Sequence, residues 1–321
     1  MYRNILVIRT DRFGEFILTL PAIHALKDKF SSASITLLAN PYSAQVVDTS
    51  PDIDKVIEYD EEKFKNFFQI FRFARRLKLE RFDLSIIFNP RKEFNLLTFL
   101  AGIPLRLGYE RKWGFLLNKH IKDLKFQGQK HEVEYNFDLI KAIGIEKSDS
   151  VFNISSDESD QETVDKILSE HSFMSFCALH PWTSNIAKQW PIEHFLELAK
   201  RLIYEFGQNI VLIGGSGESG QAELFIEKLE SKILNLTGKL SLRECVALLK
   251  KASFLVSNDS GPVHIAAAVN TPVIALFRAG IAGVCARRWG PYGQGHIVIE
   301  RERISDIAVG EVLEAVKKIL A

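Results

Sequence analysis

Residues 255–277 read LVSNDSGPVHIAAAVNTPVIALF and combine two apolar runs with a polar turn and an alanine-rich segment. The apolar runs predict two strands, and the residues between them predict a turn followed by a short helix. Pro262 suits the first helical turn, where its missing N–H costs nothing, and the small polar residues before it suit a cap. Unpaired N–H groups and the helix dipole favour a phosphate here. A well-capped βα turn in any α/β protein is the alternative interpretation.

The composition is that of a globular protein with two domains. The 321 residues exceed one typical core and suit two α/β domains of about 150 residues each. A formal net charge of +1 gives no sign of a nucleic-acid partner. Residues 1–150 carry 24 Lys and Arg against 20 Asp and Glu, a balance of +4. Solvated surface charge explains this excess, and an anionic partner is the alternative.

The cysteines and the N-terminus predict a cytoplasmic protein. Three scattered cysteines without a C-x-x-C pair suggest neither disulfides nor a zinc site, so we expect a reducing compartment. The first apolar run is a strand rather than a signal peptide, and no run is long enough to span a bilayer. His180 and His264 lack further ligands at metal-binding spacing, so no metal is expected.

Strands and helices alternate along the chain, which predicts parallel sheets. Predicted strands cover 4–8, 34–39, 56–59 and 83–88 in the first half, and a second βα series begins at 176. The polar interval 147–162 predicts a domain boundary near Ser155. We therefore expect domains at 1–155 and 156–321, with a terminal helix over 305–320 that can pack back on the first domain.

The first half predicts one functional edge. Ligands bind at the carboxyl ends of parallel strands, which places 9–15 and 89–92 on the same rim. Glu15, a carboxylate between basic residues, can act there as general base toward a hydroxyl. The helix dipole alone would also favour a carboxylate at this position. The candidate acceptor contacts on this rim are Arg9, Arg12, Arg91 and Lys92.

Two aromatic segments of the first half allow two interpretations each. In 94–129, basic residues alternate with Trp113, Phe115 and Phe126, which suits either a mobile acceptor-binding loop or an irregular surface excursion. The Phe-rich helix over 64–79 is predicted to face the core. Its basic residues make contact with an anionic membrane surface the alternative.

Four loops of the second half are predicted to converge on one sheet edge. They cover 183–188, 214–218, 239–240 and 258–264. Together they supply a lysine, hydroxyls, backbone N–H groups and glycines such as Gly215, which are the groups that a diphosphate needs. Glu218 can accept hydrogen bonds from a ribose hydroxyl pair, and Leu240 can pack on a base.

Several of these motifs resemble one known family. They are NILVIRTDRFGE at 4–15 with LTLPA at 18–22, HP and KQWP within 180–191, GGSGE at 214–218, and SNDSGPVHIAAA with TPVIALF within 257–277. In this order they resemble the heptosyltransferases of glycosyltransferase family 9. The resemblance implies a GT-B fold with two Rossmann-like domains facing a cleft, the acceptor bound by the first and the nucleotide sugar by the second. It implies inverting, metal-independent transfer from ADP-L-glycero-D-manno-heptose to the lipopolysaccharide core, without a cofactor.

The resemblance also implies residue roles. Glu15 would be the catalytic base, Lys188 would neutralise the leaving diphosphate, and Asp259 would contact the donor sugar or orient the phosphate loop. The diphosphate oxygens would be held by Thr183, Ser184, Ser260, Gly261, Val263 and His264. The partners would be a nucleotide sugar and an anionic glycolipid or glycan, with peripheral contact at the cytoplasmic face of the inner membrane.

The chain departs from the family pattern at two places. The family usually has Asp where this chain has Glu15, and one extra methylene moves a base by about 1 Å. After Phe277 the family commonly reads G-P-T, whereas residues 278–288 here form a different loop, in which Arg287 and Arg288 either contact phosphate or line the surface. Three alternatives remain open: a transferase of another nucleotide sugar, a sugar-nucleotide epimerase or hydrolase, and a non-catalytic nucleotide-sugar binding protein.

Overall fold

The structure is a computed structural model that describes residues 2–61, 66–229 and 233–321. The chain separates into two compact units, Met1–Ser155 and Ser156–Ala321. Each unit contains one six-stranded sheet in which all the paired strands are parallel, as the alternation of strands and helices predicted. Within the described ranges, no helix has the length and apolar character needed to cross a bilayer.

The first unit is built around β1. This strand lies between β2 and β4 in the order β3-β2-β1-β4-β5-β6, and its residues 5–9 are buried. A continuous apolar run is what a central parallel strand with helices on both faces requires. The elements in chain order are β1 (Asn4–Arg9), α1 (Phe13–Ile17), α2 (Leu20–Lys29), β2 (Ser34–Ala39), α3 (Pro41–Ala44), β3 (Lys55–Glu58), α4 (Phe67–Leu79), β4 (Leu84–Ile87), α5 (Lys92–Leu100), β5 (Leu105–Tyr109), β6 (Lys119–Ile121) and α6 (Glu132–Lys141).

The helix α4 differs from its prediction. It begins at Phe67, where the Asn66 side chain accepts a hydrogen bond from the Gln69 N–H in a capping box. Residues 64 and 65 of the predicted helix lie outside the described residues. Phe73 is buried, as predicted, beside Ala74 and Leu77. The expectation of a core-facing helix is wrong for Phe67, Phe68 and Phe71, which are exposed.

The segment 94–129 is more regular than either interpretation allowed. It contains most of α5, then β5 and β6, and short 3-10 turns at 114–116 and 125–127. β6 completes the sheet edge by pairing with β5, and it was not predicted because its three residues are too few for a periodic pattern.

The second unit repeats the same plan in the strand order β12-β11-β10-β7-β8-β9. The chain runs outward from β7 in one direction and then returns to β10 on the other side. The neighbouring strands β7 and β10 therefore form a topological switch point, the usual ligand position of such sheets. The elements are α7 (Glu158–Glu170), β7 (Cys177–His180), α8 (Ile192–Phe206), β8 (Ile210–Leu212), α9 (Ser219–Glu227), β9 (Ile233–Asn235), α10 (Leu242–Lys251), β10 (Leu255–Asn258), α11 (Gly261–Ala268), β11 (Val273–Arg278), α12 (Ala286–Trp289), β12 (Ile297–Arg301) and α13 (Val309–Leu320).

Both ends of the second unit pack within it. At the start, Arg243 of α10 binds Asp157 and Asp160, which fastens the first turn of α7 to α10. At the end, α13 packs against α8, β11 and β12, and its Val312 and Val316 are fully buried in the core of this unit. Its apolar face is thus part of this core, and packing of the helix on the first unit stays a prediction.

Candidate functional site

The carboxyl edge of the first sheet brings together the two predicted rim segments. Glu15 lies half-buried in the first turn of α1, which begins four residues after β1 ends. The Asn89 side chain donates to the Thr10 hydroxyl at 3.1 Å, so the segments following β1 and β4 are in contact. Arg91 binds Glu61 at 2.6 Å, which ties the same edge to the segment following β3. Arg12 and Lys92 are exposed on this edge.

Arg9 is a structural residue of this edge. Its side chain is only 2% exposed, and its guanidinium contacts Asp11 at 2.8 Å and Glu132 at 3.4 Å. It also donates to the carbonyl oxygen of Phe88 at 3.3 Å. These partners correct the expectation that Arg9 binds an acceptor, because the charge is already used to join the ends of β1 and β4 to α6.

Glu132 is the centre of a buried charge cluster that the sequence did not reveal. This carboxylate is 1% exposed and accepts from Lys125 at 2.6 Å in addition to Arg9. Asn136, one turn further along α6, donates to the carbonyl oxygen of Leu18 at 2.8 Å, just after α1. The cluster therefore holds α6 against both ends of the segment that carries Glu15. No sequence pattern links residues more than 100 positions apart.

Replacing Glu132 by Gln is expected to lower the free energy of unfolding by about 3–5 kcal/mol, because it removes the buried negative charge that Lys125 and Arg9 share. Urea denaturation followed by circular dichroism measures this loss. The matched control is Glu146→Gln, since the Glu146 side chain is 74% exposed and its ion pair with Lys141 should contribute less than about 1 kcal/mol. Equal stabilities of the two variants would contradict the role of Glu132.

The surroundings of Glu15 favour its neutral form. Burial raises the pKa of this carboxyl group, and the negative charge of Asp11 raises it further. The positive charges of Arg9 and Arg12 oppose these effects without cancelling them. A carboxylate with a raised pKa binds protons more strongly than an ordinary one, which is the property required of a general base.

The edge of the second sheet is organised by Asn258 at the end of β10. Its fully buried side chain donates to the carbonyl oxygen of Pro181 at 2.7 Å and accepts from the backbone N–H of Trp190 at 2.9 Å. One amide therefore fixes both ends of the loop that follows β7. Trp190 is itself held by a hydrogen bond from its indole to the carbonyl oxygen of Ile307.

The predicted residues Lys188 and Asp259 are brought together by these loops. Lys188 ends a short 3-10 turn that is capped by the Asn185 side chain, which accepts a hydrogen bond from the Ala187 N–H. Its ammonium group lies 2.5 Å from an Asp259 carboxylate oxygen, and both side chains remain partly exposed. The contact joins the loops after β7 and β10 directly before α11 begins.

At the start of α11, several residues of the predicted phosphate site have hydrogen-bond partners within the unit. Ser260 precedes the helix, but its hydroxyl makes no capping hydrogen bond and instead lies 3.0 Å from His180 Nδ1 and 2.9 Å from the Ser257 hydroxyl. Burial lowers the pKa of His180 to about 4, so its ring is neutral near pH 7. The Val263 N–H, predicted to hold phosphate, donates to the carbonyl oxygen of Ser260. His264 is buried in the same turn, and Gly261 is its first residue.

The remaining predicted donor residues lie at the same sheet edge. The Gly215 N–H donates to the Glu218 carboxylate at 2.5 Å, so this carboxylate caps its own turn in addition to any ribose contact. Thr183 accepts from the Asn185 N–H, Ser184 is exposed and Leu240 is half-buried. Gly214 is required by packing, because a Cβ there would lie 2.6 Å from the Trp182 ring.

The atypical loop after β11 is organised around the carbonyl oxygen of Gly283. This oxygen accepts from the Arg288 guanidinium at 3.1 Å and from the Trp289 indole at 2.9 Å. Arg288 also lies over the Trp289 ring, 4.3 Å from its centroid. Arg288 therefore stabilises the loop itself, whereas Arg287 is exposed.

Comparison with known proteins identifies the family. The model described as glycosyltransferase family 9 (heptosyltransferase) matches residues 70–308, which is most of the chain. The chain belongs to glycosyltransferase family 9. This glycosyltransferase is 27% identical to the lipooligosaccharide heptosyltransferase 2 of Haemophilus influenzae, over 85% of this chain and 83% of the relative.

Solved structures share the fold of this family 9 glycosyltransferase along its whole length. The glycosyl transferase family 9 protein of Veillonella parvula has a TM-score of 0.89 at 22% identity, covering 99% of this chain and 97% of that one. The ADP-heptose lipopolysaccharide heptosyltransferase II of Escherichia coli has a TM-score of 0.82 at 24% identity, with coverages of 99% and 98%. The predicted two-sheet GT-B architecture is therefore confirmed.

Among the residues that the structure describes, no group of three or more His, Cys, Asp and Glu side chains is arranged to hold a metal ion. The positive charge found at the switch point is that of Lys188.

Proposed function

We propose that the protein transfers heptose from ADP-heptose to a lipopolysaccharide-core acceptor, with inversion at the anomeric carbon. The observation that carries this proposal is the Lys188–Asp259 pair at the switch point, directly before the N-terminus of α11. The names of the relatives support heptose as the sugar and ADP as the nucleotide.

The second unit would hold the donor. The diphosphate would lie over the start of α11, where no side chain caps the helix and the helix dipole favours an anion. Lys188 would exchange its contact with Asp259 for the diphosphate oxygens and neutralise the charge that develops on ADP. Asp259 would then be free to accept hydrogen bonds from the sugar hydroxyls. Thr183, Ser184, Gly215, Glu218 and Leu240 would complete the nucleotide site.

The first unit would activate the acceptor. Glu15 would take the proton of the acceptor hydroxyl while that oxygen forms a bond to the anomeric carbon. The bond from the anomeric carbon to the diphosphate oxygen breaks, and ADP leaves with the electron pair. Burial and the neighbouring Asp11 raise the pKa of Glu15, which strengthens it as a base. The exposed cations Arg12, Arg91 and Lys92 would attract an anionic acceptor.

ADP release from purified protein tests this proposal. With ADP-heptose and Kdo-lipid A, release should require both substrates and should persist in EDTA, because Lys188 supplies the charge that a divalent metal would otherwise supply. Release or epimerisation without acceptor would instead indicate a sugar-nucleotide hydrolase or epimerase. Donor binding by calorimetry without turnover would indicate a binding protein.

Replacing Asp11 by Asn should shift the acid limb of the pH–rate profile to lower pH. Activity requires deprotonated Glu15, so it falls as the pH drops through the raised pKa of that group. Asp11→Asn removes a negative charge that raises this pKa, so the base stays ionised to a lower pH. The profile of kcat against pH measures the shift.

The control for this shift is Asp28→Asn, at an exposed carboxylate of the same unit. It should leave the acid limb unchanged. An unchanged limb in Asp11→Asn as well would contradict the assignment of that limb to Glu15.

A further inference from the structure

The outward side of α4 exposes three aromatic side chains in its first two turns. Phe67, Phe68 and Phe71 are 58%, 83% and 44% exposed. The opposite side of the helix is fixed in the core by Phe73, Ala74 and Leu77. Because burial follows one side of the helix along its length, α4 lies along the surface of the first unit and presents these aromatic rings to the solvent.

Basic residues accompany the aromatic rings on the same helix. Arg72, Arg75, Arg76 and Lys78 are exposed, and the sequence FFQIFRFARRLKL of α4 contains no acidic residue. Among the described residues, none of the four forms an ion pair. Two acidic side chains in the described residues that flank α4, Glu61 and Glu80, are paired with Arg91 and Lys55 at 2.6 Å. We call the three aromatic and four basic residues the α4 surface.

The α4 surface borders the edge of the sheet that carries Glu15. The first turn of α4 follows the segment that leaves the carboxyl end of β3, and Arg91 at the start of α5 binds Glu61 of that segment. α4 packs on α5, and α5 packs on the 3-10 turn at 114–116. Trp113, directly before this turn, is 48% exposed, and Phe115 within it is 78% exposed. Exposed aromatic residues therefore continue along this side of the unit.

We propose that the α4 surface docks on an anionic lipid bilayer. Aromatic rings on an exposed helix side enter the boundary between headgroups and acyl chains, while flanking arginines bind lipid phosphates, which is the arrangement of an interfacial helix. The four cations, which have no ion pair within the described residues, favour this occupant over a neutral surface. In combination with the proposed function, docking brings a lipid-anchored acceptor to the edge that holds Glu15.

Flotation with vesicles tests the docking directly. The full-length protein should bind vesicles of phosphatidylethanolamine and phosphatidylglycerol, and should bind phosphatidylcholine vesicles much more weakly. Phe68→Ser/Phe71→Ser should reduce binding by more than about tenfold, because two apolar side chains are no longer transferred from water into the bilayer. Arg72→Gln/Arg75→Gln/Arg76→Gln should reduce it by about 100-fold, at about fivefold per cation.

Matched controls carry the same changes elsewhere on the surface. Tyr204→Ser/Leu224→Ser removes two exposed apolar side chains from the second unit, and Lys166→Gln/Lys200→Gln/Lys318→Gln removes three exposed cations. Both should bind anionic vesicles as the wild type does. Circular dichroism and thermal melts confirm that all variants are folded.

Three outcomes would overturn the proposal. They are equal binding to both vesicle types, unchanged binding of the α4 variants, and a wild-type dimer that Phe68→Ser/Phe71→Ser converts to a monomer without any vesicle binding. The last would assign the α4 surface to a second copy of the chain. Light scattering of wild type and variant distinguishes it.

Measuring transfer to a soluble and to a vesicle-embedded acceptor distinguishes docking from the proposed transfer. Phe68→Ser/Phe71→Ser should transfer sugar to a water-soluble acceptor fragment at the wild-type rate and lose activity only toward acceptor embedded in vesicles. Equal losses on both acceptors would overturn the docking. If the wild type transferred to neither, the proposed function would fail while the vesicle-binding result would still stand.

Discussion

Replacing Glu15 by Gln is expected to lower kcat by about 10²- to 10⁴-fold while the dissociation constant for ADP-heptose stays unchanged. Gln keeps the shape and the hydrogen-bonding reach of the side chain, but its amide cannot take a proton from the acceptor hydroxyl. The donor is proposed to bind the second unit, so its affinity should not depend on this carboxylate. Steady-state ADP release and calorimetry with donor measure the two quantities separately.

Two further variants show whether the position of the carboxylate matters. Glu15→Asp restores the residue usual in the family but withdraws the carboxylate by about 1 Å, so an intermediate rate is expected. Glu58→Gln changes an exposed carboxylate of the same unit and should have no effect. Turnover of Glu15→Gln at the rate of Glu58→Gln would remove Glu15 as the base.

Replacing Lys188 by Met should lower kcat by about 10²- to 10³-fold and weaken ADP binding. Stabilisation of developing charge by a fixed donor has this magnitude when a single group is removed. Met retains the length of the lysine stem and removes its positive charge. The ammonium contacts Asp259, so the variant also leaves this carboxylate without that partner beside the proposed diphosphate site.

Substitutions of Lys188 and Asp259 should therefore change the affinity for ADP in opposite directions. Asp259→Asn frees the Lys188 ammonium, so ADP affinity should be kept or increased although transfer of the sugar slows. Lys200→Met, at an exposed position on α8, serves as the charge control. Wild-type ADP affinity in Lys188→Met, measured by calorimetry, would refute the contact between Lys188 and the diphosphate.

The sequence identified the elements whose cause is local. β10, α11 and β11 follow from the apolar runs and Pro262, and α8 ends at Gly207, whose positive φ of 63° suits glycine. The sheet edge that holds Lys188 and Asp259 also follows, since residues after parallel strands share one edge. The elements depend on side chains within a few positions of one another, whereas the shared edge follows from the parallel pairing of β7 and β10.

The hydrogen-bond and ion-pair partners of polar side chains could not be predicted from the sequence in the same way. Ser260 has the residue type and position of a helix cap, yet its hydroxyl binds His180, which belongs to the neighbouring strand. Arg9 has the position of a rim cation, yet Glu132 and Asp11 bind it below the surface. A polar group near a sheet edge has both local and distant partners available, and only the packed strands bring the distant ones within reach.

The exposure of α4 was decided by packing as well. The aromatic composition of the helix favoured burial of its rings, whereas packing buries Phe73 and leaves Phe67, Phe68 and Phe71 on the outward side. The sequence by itself therefore determined the alternation of strands and helices, the family and the candidate residues on each edge. Only the tertiary structure decided which of their charges are neutralised inside the protein and which face solvent, because side-chain pairing depends on contacts between distant segments.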